Sequence, residues 1–97
     1  MDIQKAKEQI VPIIKRHNIS KAALFGSIVR GEMHKNSDID LLVEVPDNMS
    51  LFDFIGVKIE LEEKLNNKVD LVEYKGIKPA LRNSILAGQL LIYSIPI

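Results

Sequence analysis

The sequence predicts an α/β (α+β) fold, a small β-sheet with helices packed on it, in a single domain spanning residues 1–97. Three observations carry this. The 97-residue length is that of one domain, and it buries about 60–65% of the unfolded surface, enough for a core but not for a large substrate pocket. Helical and strand periodicities alternate along the chain. Charges cut every apolar run well short of the ~18 residues a membrane span needs. With no cysteine, neither a disulfide framework nor a thiolate metal site can replace a packed core.

Asp2 is an N-cap, and Ile3, Ala6, Ile10, Ile13, Ile14 and His17 follow at helical spacing, predicting a helix over Ile3–His17. Pro12 removes one backbone donor inside it and is expected to kink it. His17 suits the negative pole at the helix end. The apolar run Lys21–Phe25, stopped by Gly26, reads as a buried strand, and Ile28–Gly31 leaves room for one helical turn. Ser37–Val45 alternates, with Asp38, Asp40 and Leu42 on one face and Ile39, Leu41 and Val43 on the other. Pro46-Asp47-Asn48 is a turn.

Ser50 and Asp53 form a capping box that opens a helix from Leu51 to Asn66. Leu51, Phe52, Ile55, Ile59 and Glu62 define one side, with Phe54, Lys58, Leu61 and Leu65 nearby, and Glu60→Lys64 is an i,i+4 pair. Glu60, Glu62 and Glu63 are expected to face solvent. Lys68–Glu73 alternates as a strand. Pro79 starts a last helix that runs to Ala87 and ends at Gly88, and Gln89–Ser94 can add an edge strand.

Thirteen bases balance thirteen acids, yet they are not evenly spread. Residues 1–35 carry +4, residues 36–73 carry −7 and residues 74–97 carry +3. A general binder of nucleic-acid polymer does not read this way. The first sixteen residues hold acids and a proline rather than an apolar core, so a cytoplasmic protein without a secretory leader is expected.

The chemistry concentrates in Gly26-Ser27-Ile28-Val29-Arg30-Gly31 and Ser37-Asp38-Ile39-Asp40-Leu41. Asp38 and Asp40, two apart on a strand, leave the same face with Cα atoms about 6.5–7 Å apart. Two carboxylates so placed repel each other unless a hard cation such as Mg²⁺ sits between them. A strand that ends in Gly-Ser and turns into Arg-Gly offers backbone donors and a hydroxyl, the groups that cradle phosphate. Arg30 either neutralises a phosphate or forms a surface ion pair. Either motif alone is weak, but together, about ten residues apart, they are specific. Asp70, on the following strand, is placed to add a third carboxylate. Lys75, Lys78 and Arg82 are expected to be the solvated start of the last helix, the alternative being a basic cluster that faces a polyanion or a partner.

At these residues the sequence resembles the nucleotidyltransferase superfamily related to DNA polymerase β. It is most similar to the minimal nucleotidyltransferases of bacteria and archaea, including the MntA-type antitoxins paired with HEPN proteins. The pattern Gly-Ser-x-x-Arg-Gly, then Ser-Asp-x-Asp-Leu, is met by Gly26, Ser27, Arg30, Gly31, Ser37, Asp38, Asp40 and Leu41, and Asp70 matches the later carboxylate. Val29 stands where the family often has Ala. The resemblance implies the nucleotidyltransferase fold with a mixed sheet. It also implies two Mg²⁺ ions held by Asp38, Asp40 and Asp70, and ATP held by Gly26, Ser27, Arg30 and Ser37. Asp70 would accept the proton of the attacking hydroxyl. The implied reaction transfers AMP from ATP to a tyrosine of a cognate HEPN ribonuclease toxin, in a hetero-complex or a homo-oligomer. After these elements no residues are expected to be left over for a domain that binds another acceptor. Nucleotidylation of a small molecule such as an aminoglycoside, or inhibition of the toxin by contact alone, are the alternatives.

Overall fold

The computed structural model describes residues 2–96. Helix α1 (Ile3–Arg16) starts where the Asp2 side chain accepts the Lys5 N–H at 2.8 Å. It runs through Pro12 as one helix. Pro12 and Glu8 are both exposed, so water can reach the carbonyl that the proline leaves without its helical donor. His17 is the C-cap rather than part of the helix. Strand β1 (Lys21–Phe25) and the single turn α2 (Ser27–Arg30) lead to strand β2 (Ile39–Glu44). Helix α3 (Leu51–Leu65), strand β3 (Val69–Glu73), helix α4 (Pro79–Ala87) and strand β4 (Leu90–Ser94) complete the order, with a 3-10 turn at Tyr74–Gly76. The strand expected over Ser37–Val45 is shorter because a strand lasts only as long as its pairing. The β1 ladder closes between Lys21↔Glu44 and Phe25↔Asp40.

The sheet order is β3-β2-β1-β4 and it is mixed: β1 is antiparallel to β2 and β4, whereas β3 is parallel to β2 and reached through α3. Leu24, Leu41 and Leu71 are register partners across β1, β2 and β3, and they share one face with Ile39 and Val69. Helices α1 and α3 cover that face with Ala6, Ile10 and Ile14 of α1 and Val57, Leu61 and Leu65 of α3. In β4 the pairing shifts between Ala22 and Ala23, and Ile92 joins this core. The other face carries a small cluster of Ala23, Leu42, Tyr74 and Ile77, against which Ile85 and Leu86 of α4 pack half-buried. Gly88 ends α4 at φ −97°, without the left-handed turn that its glycine would permit.

The side of α3 that Leu51, Phe52, Ile55 and Ile59 define is not the packed one; Leu61 and Leu65 beside it are. Leu51 and Phe52 are 74% and 89% exposed and Ile55 and Ile59 about half, while Val57, Leu61 and Leu65 are buried. Two apolar stripes run down this helix, so apolar spacing alone did not single out the buried one. The polar contacts agree with the buried stripe. Glu60 bridges Arg16 of α1 and its C-cap His17, the latter at 2.8 Å, instead of pairing with Lys64. Glu62 accepts the Val69 N–H at 3.0 Å. Neither is the solvated face residue expected, and both contacts are compatible with the Val57–Leu61–Leu65 stripe lying on the sheet. Leu61→Ala is therefore expected to cost about 2–5 kcal/mol, the scale for emptying a buried leucine site, whereas Ile55→Ser is expected to be close to neutral. Comparable losses for both in thermal or urea unfolding would contradict this packing.

Candidate active site

The strand order explains why residues far apart in sequence meet. Antiparallel pairing sets the C-terminal end of β1 beside the N-terminal end of β2, and parallel pairing sets the N-terminal end of β3 on its other side. Phe25, Asp40 and Asp70 are consecutive register partners on the face away from α1 and α3. Gly26 follows Phe25 directly, and Asp38 lies two residues before Asp40, in the lead-in to β2. Four of the predicted site residues are thus gathered at one end of the sheet by topology alone.

Gly26 has φ +74° and ψ −146°, a backbone that side chains rarely adopt. A Cβ there would lie 2.1 Å from Oδ2 of Asp40, so the carboxylate sits directly over the glycine. Ser27 is the first residue of α2, and its hydroxyl makes no hydrogen bond among the described residues. Gly31 closes the turn in the left-handed region at φ +72°. Arg30 is exposed and its Nε donates to Glu32 at 3.1 Å, the surface pair that the sequence allowed. It still lines a cleft of 490 Å³ with Gly26, Asp40 and, from α4, Ser84, Ile85 and Gly88. Ser37 is used locally: its Oγ accepts the His34 N–H at 3.1 Å and its own N–H donates to the His34 carbonyl, which shapes the loop ahead of Asp38.

Asp38 and Asp70 are exposed, Asp40 is half-buried, and none of the three forms an ion pair or a hydrogen bond among the described residues. Burial raises the Asp40 carboxyl above its ordinary 3.8, and the charges of Asp70 and Asp38 raise it further, against a smaller opposing effect of Arg30. No three His, Cys, Asp or Glu side chains among the described residues are gathered closely enough to hold a metal ion. The expected three-carboxylate cup is therefore not closed in this arrangement. The donor set still fits a hard divalent cation, since it offers carboxylate oxygens alone, without a protein cation to compete.

The sign of the pH dependence follows. Native Asp40 takes up a proton at higher pH than the unfolded chain does, so the folded state is favoured at low pH. That advantage is lost as pH rises from about 4 through the raised value. In chelator, the gain in Tm from Asp40→Asn is expected to grow between pH 4 and pH 7, and a gain independent of pH would remove electrostatic crowding as its cause.

The basic cluster does not assemble. Lys75 pairs with Asp47 at 2.9 Å by a hollow lined by Glu44, Glu73 and Tyr74, at the far end of the sheet. Arg82 donates to the Tyr74 carbonyl. Tyr74 is buried, donates to Gln89 Oε1 at 2.6 Å and lies under Lys21, so it is structural. Sequence reasoning missed the wall that α4 gives the cleft, because Ser84 and Ile85 carry no motif.

A glycine turn stands beside carboxylates on adjacent strands of a mixed sheet, at the residues where the sequence resembles the nucleotidyltransferases. Residues 8–96 match the family described as polymerase beta, nucleotidyltransferase, and the chain belongs to that family. It is 43% identical over 86 residues, 89% of this chain and 92% of the relative, to a Methanocaldococcus jannaschii protein assigned by inference as a protein adenylyltransferase. It is 36% identical to the protein adenylyltransferase MntA of Thermococcus cleftensis, over 74% of this chain and 73% of that one. Among solved structures, one assigned by inference as a minimal nucleotidyltransferase superposes with a TM-score of 0.80 at 33% identity, covering 100% of this chain and 97% of that one. A toxin–antitoxin structure with AMP-PNP gives 0.80 at 23% identity, over 92% of this chain and 73% of that one. A complex of tri-AMPylated Shewanella oneidensis HEPN toxin with MNT antitoxin gives 0.74 at 19%, over 95% and 72%. The last two likenesses establish the fold. No helix among the described residues is long and apolar enough to cross a membrane.

Proposed function

We propose that this protein is a magnesium-dependent protein adenylyltransferase that moves AMP from ATP to a tyrosine hydroxyl of a HEPN toxin in the cytoplasm. The observation that carries the reading is that the register sets Asp40 beside Asp70 and two residues from Asp38, with no ion pair on any of them among the described residues, next to a glycine turn that leaves no room for a side chain. The names of the relatives support the reaction, and the toxin–antitoxin complexes support the acceptor.

Asp38, Asp40 and Asp70 would hold Mg²⁺, two ions in this reading, which when bound neutralises phosphate charge and makes the α-phosphorus easier to attack. The remaining work belongs to the chain. The backbone at Gly26 and the free hydroxyl of Ser27 bind the β- and γ-phosphates, which orients the leaving group. Arg30, on the same cleft, adds positive charge to the triphosphate. Asp70, on the side of β2 away from Gly26, accepts the proton of the incoming hydroxyl. The new P–O bond forms on the acceptor oxygen as the bond to pyrophosphate breaks.

The test is incubation with labelled ATP, Mg²⁺ and the HEPN protein from the neighbouring reading frame, followed by mass spectrometry of that protein. A mass gain of adenylate on a tyrosine is expected. A toxin that is bound and neutralised without gaining adenylate would leave contact inhibition as the mechanism.

A further inference from the structure

The two sides of the carboxylates are not alike, and in-line displacement assigns a role to each. Entering and leaving oxygens lie on opposite sides of the phosphorus, so the acceptor comes in from the side away from the glycine turn. On that side, where β2 and β3 begin, lies a second cavity of 350 Å³. Lys35, Asn36 and Asp38 line it from the loop before β2, and Asn66, Asn67 and Lys68 from the end of α3. The two segments are tied where Ile39 N–H donates to the Lys68 carbonyl at 2.9 Å. The second segment is held further by Asn66 in the left-handed cap at φ 50° and by the Glu62 contact to Val69 N–H.

Ser37, which also lines the cavity, is engaged by the His34 N–H, but the longer polar side chains are not. Neither Lys35 nor Lys68 forms an ion pair, and the side-chain amides of Asn36, Asn66 and Asn67 make no hydrogen bond, among the described residues. Asp38 is the one acid on the rim, and the proposed function commits it to the cation. Two ammonium groups and three amides around a cavity of this size present donors to an anion with several oxygens.

Resting on that proposed function, we propose that Lys35 and Lys68, with the neighbouring asparagines, form an acceptor-side phosphate subsite that binds the phosphodiester of AMP already attached to the acceptor. The subsite makes an adenylylated tyrosine a better acceptor than it would be unaided, and so promotes repeated transfer. A tyrosine is neutral, and the lysines add little to its binding. Once it carries AMP, the acceptor brings one negative charge to the cavity. A ribose hydroxyl of that AMP then attacks the α-phosphorus of a second ATP. One P–O bond forms, the bond to pyrophosphate breaks, and the hydroxyl proton passes to Asp70. The toxin in one structural relative carries three AMP units, so an acceptor of this class can receive more than one.

The experiment compares wild type with the Lys35→Ala/Lys68→Ala double variant, counting AMP units per toxin by mass spectrometry over time. The first transfer should proceed within about twofold of wild type and with an unchanged KM for ATP. Later transfers should slow by about tenfold, the scale of one charge-assisted hydrogen bond, and Lys35→Arg/Lys68→Arg should restore them. An unchanged ladder in the alanine variant overturns the subsite, as does a wild type that stops at one AMP. A raised KM for ATP in the first transfer would give these lysines to the donor triphosphate instead. A wild type that transfers nothing refutes the proposed function, and binding then decides the subsite independently. Titrated in calorimetry, N-acetyltyrosinamide carrying AMP as a phosphodiester should bind wild type at least about fivefold tighter than the bare amide, an advantage lost in the alanine variant. Equal binding of the two probes would overturn the subsite.

Discussion

Asp38→Asn combined with Asp40→Asn is expected to lower AMP transfer by at least about 10³-fold while the folded protein becomes more heat-stable in the absence of metal. The two effects have one cause. The carboxylates stand together with no cationic partner, and the Asp40 carboxyl is raised above its ordinary range by burial and by its two acidic neighbours. Asparagine keeps the shape and removes the repulsion, so the metal-free fold relaxes and Tm rises by a few degrees. The same change removes ligands for the cation, so the stabilisation that Mg²⁺ gives wild type by binding the native state alone should disappear. Differential scanning fluorimetry with Mg²⁺ and with chelator measures both, beside the labelling assay. Retained labelling would mean that the phosphate chemistry runs elsewhere, and a fall in Tm in chelator would mean that Asp38 and Asp40 support the fold.

Gly26→Ala is expected to be the most damaging single-methyl change in the chain. The new Cβ would fall 2.1 Å from Oδ2 of Asp40, and alanine would have to adopt φ +74°. The backbone alone costs about 1–2 kcal/mol, which in a chain this long lowers Tm by roughly 5–15 °C. Asp40 must also swing off the turn, so transfer should fall by at least about 10²-fold even in protein that remains folded. Gly31→Ala separates the two causes. It shares the positive φ but meets nothing within 4 Å, so it should lose stability and keep most of its activity. If Gly31→Ala is as inactive as Gly26→Ala, the contact with Asp40 is not what the glycine protects.

Much of this could be read in order along the chain, because the signals are local. Asp2 and Ser50 cap helices as their side chains require, Asn66 closes α3, and Lys21–Phe25 is the strand its apolar run implies. The site motifs were legible for the same reason: Gly26-Ser27 and Asp38-x-Asp40 are short and need their residue types for close approach and for charge. The errors share a cause too. The buried face of α3 and the pairing of Glu60 depend on residues distant in sequence, and Glu62 reaches past the end of its helix to the next strand.

The uneven charge shows where local reading stops. That residues 36–73 carry −7 is a fact of sequence, and the motifs within that stretch already mark three of its acids as a site for cations. Their convergence is not. It exists because β1 runs antiparallel and β3 parallel to β2, which brings Gly26, Asp40 and Asp70 to one end of the sheet. The same pairing puts Lys35 beside Lys68, two bases 33 positions apart that no motif connects. The sequence by itself determined which elements form and which residues bear the chemistry, since capping, periodicity and turn geometry act within a few residues. Only the tertiary structure decided which side of α3 is buried and what lies on each side of the carboxylates, since burial and charge pairing are settled between strands and helices that meet only when the chain has folded.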